Sequence, residues 1–280
     1  MTDSLDIGGK LLGGKLLLLG AGKMGGAMLE GWLKLGLPPA QVGAIDPHLP
    51  AEAAASLAET GIAVNPDLAA FGTPAVVLLA IKPQMMDIAL KSVVPLFGRD
   101  TLAISIMAGK TIAGIAAQLP PDTAIVRAMP NTPAAVGRGI TAAVPNAFVT
   151  PSQKAAADAL LRSTGAVEWV EDEALIDAVT AVSGSGPAYV FHLVEAMAAA
   201  GTAAGLPADL AMRLARATVS GSGELLHQSD LPAATLRQNV TSPGGTTAAA
   251  LAVLMAEDGL TPLVEKAVLA AQKRAGELAS

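Results

Sequence analysis

The segment KLLLLGAGKMGG, residues 15–26, constrains the fold of this 280-residue chain more than any other stretch. Its leucines show no polar alternation, which is typical of a strand buried on both faces of a parallel sheet. The run ends in a G-x-G-x-x-G turn, and the pattern that follows predicts a helix ending at Gly36. A buried strand, a glycine turn and a helix in this order predict a Rossmann-type dinucleotide-binding domain.

Six later apolar runs predict further strands. They are QVGAIDP, AVVLLAIKP, TLAISIMAG, TAIVRAMP, GITAAVP and TGAVEWVEDE. Helical patterns such as AEAAASLAETG separate the earlier runs. Strands that alternate with helices predict an α/β fold with a doubly wound, mostly parallel sheet.

The strand pattern stops after about residue 168. Four later segments have helical composition, at 187–204, 207–228, 246–257 and 260–279. Because these Ala-rich helices carry few charges on several faces, they favour a partner subunit over a bundle that packs only on its own first domain. We therefore predict a loose tail over 1–14, an NAD(P)-binding Rossmann domain over 15–168, and an all-α dimerisation domain over 169–280, to which the motifs below add a substrate-binding role.

The composition excludes several classes of protein. The chain has no cysteine, which excludes disulfides and thiolate chemistry, and its three widely separated histidines offer no metal-ligand spacing, so we expect no metal. A formal charge of −6 gives no basic footprint for nucleic acid. Apolar runs stay well below the roughly 18 residues of a membrane span, and the N-terminus lacks signal-peptide features. We expect a soluble, cytoplasmic protein with no membrane partner.

Each part of the glycine turn has a predicted task. Gly20 permits the tight turn, Gly22 lets the backbone approach the cofactor pyrophosphate, and Gly25 allows close helix–strand packing. The free N–H groups at the helix start, at Lys23 and Met24, then hold the phosphates with the help of the helix dipole.

Asp46 ends the second strand, at the position where an acidic residue usually accepts hydrogen bonds from the adenosine ribose. Such a carboxylate also repels the 2′-phosphate of NADP, which favours NAD. The alternative is that Asp46 is only a turn residue before Pro47.

Five further motifs are not explained by architecture. They are AIKPQ (80–84), SIMAG (105–109), RAMPNTPAAVGRG (127–139), AVSGSGPAYV (181–190) and NVTSPGGTTAAAL (239–251). Together with GAGKMG, and in this order, they resemble the pyrroline-5-carboxylate reductase family over about 15–280. The resemblance implies a Rossmann domain followed by a helical domain that intertwines with its twin in a homodimer, with higher assembly such as a decamer. It also implies reduction of a small-molecule substrate, 1-pyrroline-5-carboxylate, to L-proline by NADPH or NADH, the last step of proline biosynthesis.

The resemblance extends to the residues that meet the nicotinamide half of the cofactor. Those implied here are Ala80, Ile81, Lys82, Pro83, Ala108, Gly109 and Asn239. For Lys82 the alternative is a solvated lysine after a strand, and for Asn131, which is expected to line the same cleft, it is an Asn–Thr–Pro turn. One departure concerns Asp46, since the family often carries a small polar residue there, and the choice between NADPH and NADH stays open.

The SPGGTT segment is expected to bind the substrate. A proline–glycine turn followed by a helix start offers N–H groups and hydroxyls as an anion nest sized for a carboxylate, whereas an ordinary capped helix does not call for two adjacent glycines. The substrate-binding residues predicted here are Ser242, Gly245, Thr246 and Thr247. The Thr247 hydroxyl is the best candidate for the imine nitrogen, as proton donor or as orienting group, and cyclic imines are basic enough to need no His or Cys.

Two other classes compete with this interpretation. The β-hydroxyacid dehydrogenases share the Rossmann-plus-helical plan but need a lysine after the domain junction, and this chain has none between Lys154 and Lys266. A non-catalytic NAD(P) sensor would keep GAGKMG but would not need SPGGTT. The turn at 183–187 is interpreted as structural, with a role in shaping the pocket.

Overall fold

The computed structural model describes residues 14–279. Apart from Gly14, the tail predicted over 1–14 therefore lies outside the described residues. The chain forms two compact units, one made of the described residues up to Gly184 together with 272–279, and the other of residues 185–271. The predicted domain boundary after residue 168 lies before this structural division and stays a prediction.

The first unit is built on one eight-stranded sheet. Its strands are β1 (Leu16–Leu19), β2 (Val42–Ile45), β3 (Ala63–Val64), β4 (Val76–Leu79), β5 (Leu102–Ser105), β6 (Ala124–Met129), β7 (Gly139–Pro145) and β8 (Gly165–Trp169). Their order in the sheet is β3-β2-β1-β4-β5-β6-β7-β8. Neighbouring strands are parallel except for β6 and β7, which pair antiparallel. The predicted fold class, a doubly wound and mostly parallel sheet, is confirmed.

Helices connect the strands and follow the sheet. The first unit contains α1 (Lys23–Lys34), α2 (Ala51–Glu59), α3 (Leu68–Phe71), α4 (Met86–Val93), α5 (Ile112–Ala116), α6 (Pro151–Leu161) and α7 (Leu175–Val179). After a π-helical turn at Thr180–Gly184 come α8 (Gly186–Ala203), α9 (Ala208–Gln228), α10 (Ala233–Asn239), α11 (Thr246–Leu254) and α12 (Leu260–Ala279). Strand β3 and helix α10 are absent from the predicted elements because two and seven residues are too short to show a clear period.

Strand β1 lies at the centre of the sheet, between β2 and β4. Its residues alternate between two hydrophobic clusters, Leu16 and Leu18 facing one and Leu17 and Leu19 the other. All four leucines are fully buried, which is why the sequence shows no polar alternation there. The buried indole N–H of Trp32 donates to the carbonyl of Leu160 at 2.9 Å and ties α1 to α6.

A buried arginine ties β6 to the segment that follows the sheet. The Arg127 guanidinium, 5% exposed, donates to the Glu173 carboxylate at 2.7 Å, and Asp177 lies 3.9 Å from its second terminal nitrogen. The same Glu173 oxygen accepts the Ile112 backbone N–H at 2.7 Å. The Glu173 carboxylate therefore fixes both β6 and the chain after β5 to the chain after β8.

The second unit has almost no core of its own. Within 185–271, all of which the structure describes, only Ala198, Ala211 and Ala215 are buried. Large apolar side chains such as Phe191 and Val253 are 65% and 72% exposed. Apolar surface on this scale marks an interaction surface. Between residues 14 and 279 no helix is both long and apolar enough to cross a lipid bilayer.

Candidate active site

The glycine turn brings β1 and α1 into close contact. Gly20 has a φ of +91°, a conformation that L side chains rarely adopt, and a Cβ there would lie 2.6 Å from the carbonyl oxygen of Ala80. A Cβ on Gly25 would collide with the carbonyl oxygen of Gly20. Packing alone therefore requires glycine at these two positions.

Gly22 is different, because nothing in the protein needs it to be glycine. It is the N-cap of α1 with an ordinary φ of −69°, and a Cβ there would have no heavy atom within 4 Å. Among the described residues no side chain caps this helix end. The N–H groups of Lys23, Met24 and Gly25 precede the first intrahelical bond, from Gly26 to Gly22 at 2.7 Å. Open space beside uncapped N–H donors at a helix N-terminus fits a pyrophosphate.

Asp46 makes contacts that serve both of its predicted roles. One carboxylate oxygen accepts the His48 N–H at 3.0 Å, which is a turn contact. The other accepts the N–H of Ala21, inside the glycine turn, at 3.0 Å. The half-buried carboxylate thus joins the end of β2 to the glycine turn, beside the place where the adenosine ribose lies in Rossmann domains.

A cavity of about 310 Å³ opens at the carboxyl ends of the central strands. Met24 at the start of α1 lines it, together with the loops after β4, β5 and β6 and with Gly184. Asn131, from the loop after β6, lies in its wall with its side-chain oxygen accepting the Ile140 N–H at 2.9 Å. Backbone and small or apolar side chains make up most of the lining, which fits a nicotinamide ring.

A larger cavity, of about 620 Å³, lies at the opposite edge of the sheet. Gly14, Ala75 and Thr101 line it, at the amino ends of β1, β4 and β5. Doubly wound sheets bind ligands outside the carboxyl ends of their strands. The smaller cavity is therefore the candidate site, despite its size.

The predicted nicotinamide-side residues do not all reach this cavity. Ala80, Ile81, Lys82 and Ala108 line it. Pro83, outside the lining, begins the 3₁₀ turn Pro83–Met85 and so fixes the chain direction after Lys82. Gly109 has a φ of +70°, and a Cβ there would lie 2.9 Å from the carbonyl oxygen of Leu278. The need for glycine at 109 is thus explained by packing within the first unit.

The predicted substrate residues lie together in the second unit. Gly245 donates its N–H to the Ser242 carbonyl at 3.0 Å, which closes a turn with Gly244 at a φ of +70°. Gly245 is also the N-cap of α11, and among the described residues no side chain caps this helix. The N–H groups of Thr246 and Thr247 are therefore available to an anion, with Thr246 exposed and Thr247 half-buried.

The structure thus gathers the predicted residues into two groups, one in each unit. Asn239, the last residue of α10, belongs to the second. The sequence analysis did not single out Asn65, whose side chain bonds the backbone of Asp46. The available signal was the Asn–Pro pair after the short apolar run AV, which is typical of a turn. Between residues 14 and 279 no cluster of three or more His, Cys, Asp or Glu side chains could hold a metal ion.

Comparison with known proteins shows which families the chain resembles. A family model described as pyrroline-5-carboxylate reductase dimerisation matches residues 173–278, and one described as NADP oxidoreductase, coenzyme F420-dependent, matches residues 15–109. A pyrroline-5-carboxylate reductase of Pseudomonas aeruginosa is 41% identical over 267 residues, covering 95% of this chain and 97% of that protein.

Two solved structures are also similar over nearly the whole chain. A pyrroline-5-carboxylate reductase from Coxiella burnetii has a TM-score of 0.88 at 33% identity, covering 95% of this chain and 99% of that one. A Plasmodium falciparum pyrroline carboxylate reductase with NADP bound has a TM-score of 0.78 at 29% identity, covering 95% and 98%.

The Rossmann-type unit and its open glycine turn define an NAD(P)H-dependent oxidoreductase. The sequence identity to pyrroline-5-carboxylate reductases over nearly the full length narrows this class further. The chain belongs to the pyrroline-5-carboxylate reductase family.

Proposed function

We propose that this protein reduces 1-pyrroline-5-carboxylate to L-proline with NADPH or NADH, the last step of proline biosynthesis. One observation carries the proposal: the 41% identity to a pyrroline-5-carboxylate reductase extends over 95% of the chain and so includes both the glycine turn and the SPGGTT turn. A dinucleotide-binding module alone would account only for the first.

The first unit binds the cofactor in this proposal. Uncapped N–H groups from Lys23 onward hold the pyrophosphate, and Gly22 leaves the space for it. Ala80, Lys82 and Ala108 border the nicotinamide half, where the cavity of about 310 Å³ opens. When bound, the reduced nicotinamide supplies a hydride.

The second unit binds the substrate carboxylate. The N–H groups at the start of α11 and the hydroxyls of Ser242, Thr246 and Thr247 form a nest for one anionic group, with Gly245 as its N-cap. Because Thr247 is half-buried and Thr246 is exposed, Thr247 is better placed to hold a substrate away from bulk water. Asn239, the last residue of α10, is a further cofactor-binding residue in this proposal, as the family resemblance implies.

The proposed reaction depends on the orientation of the substrate and cofactor more than on acid–base groups of the protein. The imine carbon gains a hydride and the ring nitrogen carries a proton, so the product is an amine and the cofactor leaves oxidised. Thr247 hydrogen-bonds the ring nitrogen and orients it, so most of the rate enhancement comes from positioning and from preorganised dipoles.

The second unit also carries the homodimer contact in this proposal. Its exposed apolar side chains and the match of 173–278 to a dimerisation family support association between copies of the chain. The same proposal includes two domains, one at 15–168 for the cofactor and one at 169–280 for substrate and dimer contacts. It also includes assembly of the dimers into a decamer.

We further propose that the enzyme works in the cytoplasm without nucleic-acid or membrane partners. The formal charge of −6 and the short apolar runs of the sequence support this.

An absorbance assay at the band of the reduced nicotinamide tests the function. We expect the purified protein to oxidise NADPH or NADH only when 1-pyrroline-5-carboxylate is present, and to form proline in equal amount. Tight cofactor binding without oxidation would instead indicate a sensor. A six-membered cyclic imine, assayed with both cofactors, measures how closely the pocket fits the five-membered ring.

A further inference from the structure

Asn65 has an unusual backbone conformation at the edge of the cofactor site. It follows β3 with a φ of +44°, and only one other non-glycine residue in the described part of the chain, Asp122, has a positive φ. This region of φ is costly for most L residues, and Asn is among the residues that tolerate it best. The Asn65 N–H donates to the Ala44 carbonyl at 2.7 Å, two residues before Asp46.

The Asn65 side chain holds the backbone of Asp46 at two points. Its amide oxygen accepts the Asp46 N–H at 2.9 Å, and its amide nitrogen donates to the Asp46 carbonyl at 3.3 Å. These bonds engage the peptide groups on both sides of the Asp46 Cα. To make both bonds, a side chain of this length must carry an acceptor atom and a separate donor atom. Asn carries both, whereas ionised Asp has no donor, Ser has a single shorter hydroxyl and Gly has no side chain.

Fixing the backbone of Asp46 also fixes where its carboxylate lies. The carboxylate oxygens each accept one N–H at 3.0 Å, from Ala21 in the glycine turn and from His48. A carboxylate has about four acceptor positions, so about two remain for the hydroxyls of an adenosine ribose. The same negative charge repels a 2′-phosphate at that place.

We propose that Asn65 is a positioning residue that sets the ratio of the affinities for NADH and NADPH. It does so by holding the Asp46 carboxylate against the glycine turn, where this group accepts the ribose hydroxyls and opposes the 2′-phosphate. The inference rests on the proposed function in one respect, namely that the dinucleotide lies on the Gly20–Gly25 turn.

The test measures the dissociation constants of NADH and NADPH by nicotinamide fluorescence on the full chain, together with the melting temperature. Asn65→Gly keeps the positive φ without strain and removes both side-chain bonds. We expect it to lower the NADH-over-NADPH affinity ratio about tenfold, mainly through weaker NADH binding. Asp122→Gly is the control, since it also places glycine at a residue with a positive φ, and it should leave the ratio unchanged.

Two further variants keep the test decisive. Asn65→Asp tolerates the backbone conformation and retains the acceptor for the Asp46 N–H but loses the donor to the Asp46 carbonyl, so it should lower the ratio less than Asn65→Gly does. In an Asp46→Ser background, Asn65→Gly should change the ratio no further, because it acts through that carboxylate.

The possible results separate this inference from the proposed function. If Asn65→Gly lowers the melting temperature and weakens the binding of both cofactors by the same factor, Asn65 is only structural and the inference is wrong. If the unsubstituted chain binds neither dinucleotide, the cofactor site is wrong and the inference with it. If it binds them but does not reduce the imine, only the proposed function is lost.

Discussion

A Cβ on Gly25 would collide with the carbonyl oxygen of Gly20, because the start of α1 is packed closely on the end of β1. The same carbonyl leaves no room for a side chain at position 25, whereas the next residue, Gly26, would place a Cβ 3.4 Å from the Ala21 carbonyl, an ordinary contact. Adjacent glycines of one helix thus have different tasks, and the glycine turn can be tested position by position.

Gly25→Ala should destabilise the protein and weaken cofactor binding, because the helix must move away from the strand to admit the methyl group. We expect a loss of about 2 kcal/mol in the free energy of unfolding, measured by chemical denaturation. The control, Gly26→Ala, lies in the same helix and should raise stability by about 0.5 kcal/mol. Equal effects of the two changes would contradict the contact with Gly20.

Gly22→Ala should leave stability unchanged and weaken NADPH or NADH binding. Its φ of −69° suits alanine, and the added methyl group enters space that the protein leaves open. If the pyrophosphate approaches the backbone here, we expect the dissociation constant to rise by about tenfold or more at constant melting temperature. Unchanged binding would remove Gly22 from the cofactor site.

Thr247→Ala should lower turnover more than it weakens cofactor binding. Loss of one hydrogen bond to the imine nitrogen predicts a fall in kcat of about tenfold, with the dissociation constant of NADPH unchanged. Thr247→Ser keeps the hydroxyl and should retain most of the activity. Unchanged turnover in the alanine variant would exclude Thr247 from the mechanism.

Glu173→Ala should destabilise the first unit strongly, because it leaves the buried Arg127 guanidinium without its 2.7 Å partner. We expect a loss of about 3 kcal/mol in the free energy of unfolding. The exposed Glu30–Lys34 pair, at 2.9 Å, provides the control, and Glu30→Ala should cost less than about 0.5 kcal/mol. Similar losses in both variants would show that burial does not decide the strength of the Arg127 pair.

Phe191→Glu should shift the protein from a homo-oligomer toward monomer, as measured by light scattering after size exclusion. Phe191 lies on α8 with 65% of its surface exposed in the single chain, and a carboxylate is costly in an apolar interface. Ile88→Glu, at a residue 68% exposed in the first unit, is the control and should leave the dimer intact. A dimer that survives Phe191→Glu would place the contact on another face.

Local pattern was sufficient to predict every strand of the first unit except β3. A strand buried on both faces, such as Leu16–Leu19, shows its environment in its own residues, and Gly20 reflects a conformation that few others adopt. The family motifs added the proposed substrate turn at 242–247, where Gly244 and Gly245 are evident in the sequence. Strand β3 and helix α10 were too short for their pattern to predict them.

Other features depend on which residues meet in space. The sequence left Asp46 between a turn residue and a ribose ligand, and it contained no sign that one carboxylate bonds both His48 and Ala21. Gly109 is predicted to lie beside the nicotinamide, and the sequence contained no sign that a Cβ there would lie 2.9 Å from the carbonyl oxygen of Leu278, far away along the chain. The Arg127–Glu173 pair likewise joins residues 46 positions apart.

The sequence by itself determined the order of elements, the glycine turn and the family motifs, because burial on two faces, a positive φ and a helix start each require particular residue types locally. Only the tertiary structure decided which side chain bonds and positions which other residue. Asn65 holds Asp46 through bonds that form only when β3 lies beside β2, and that pairing depends on the whole sheet and not on either segment alone.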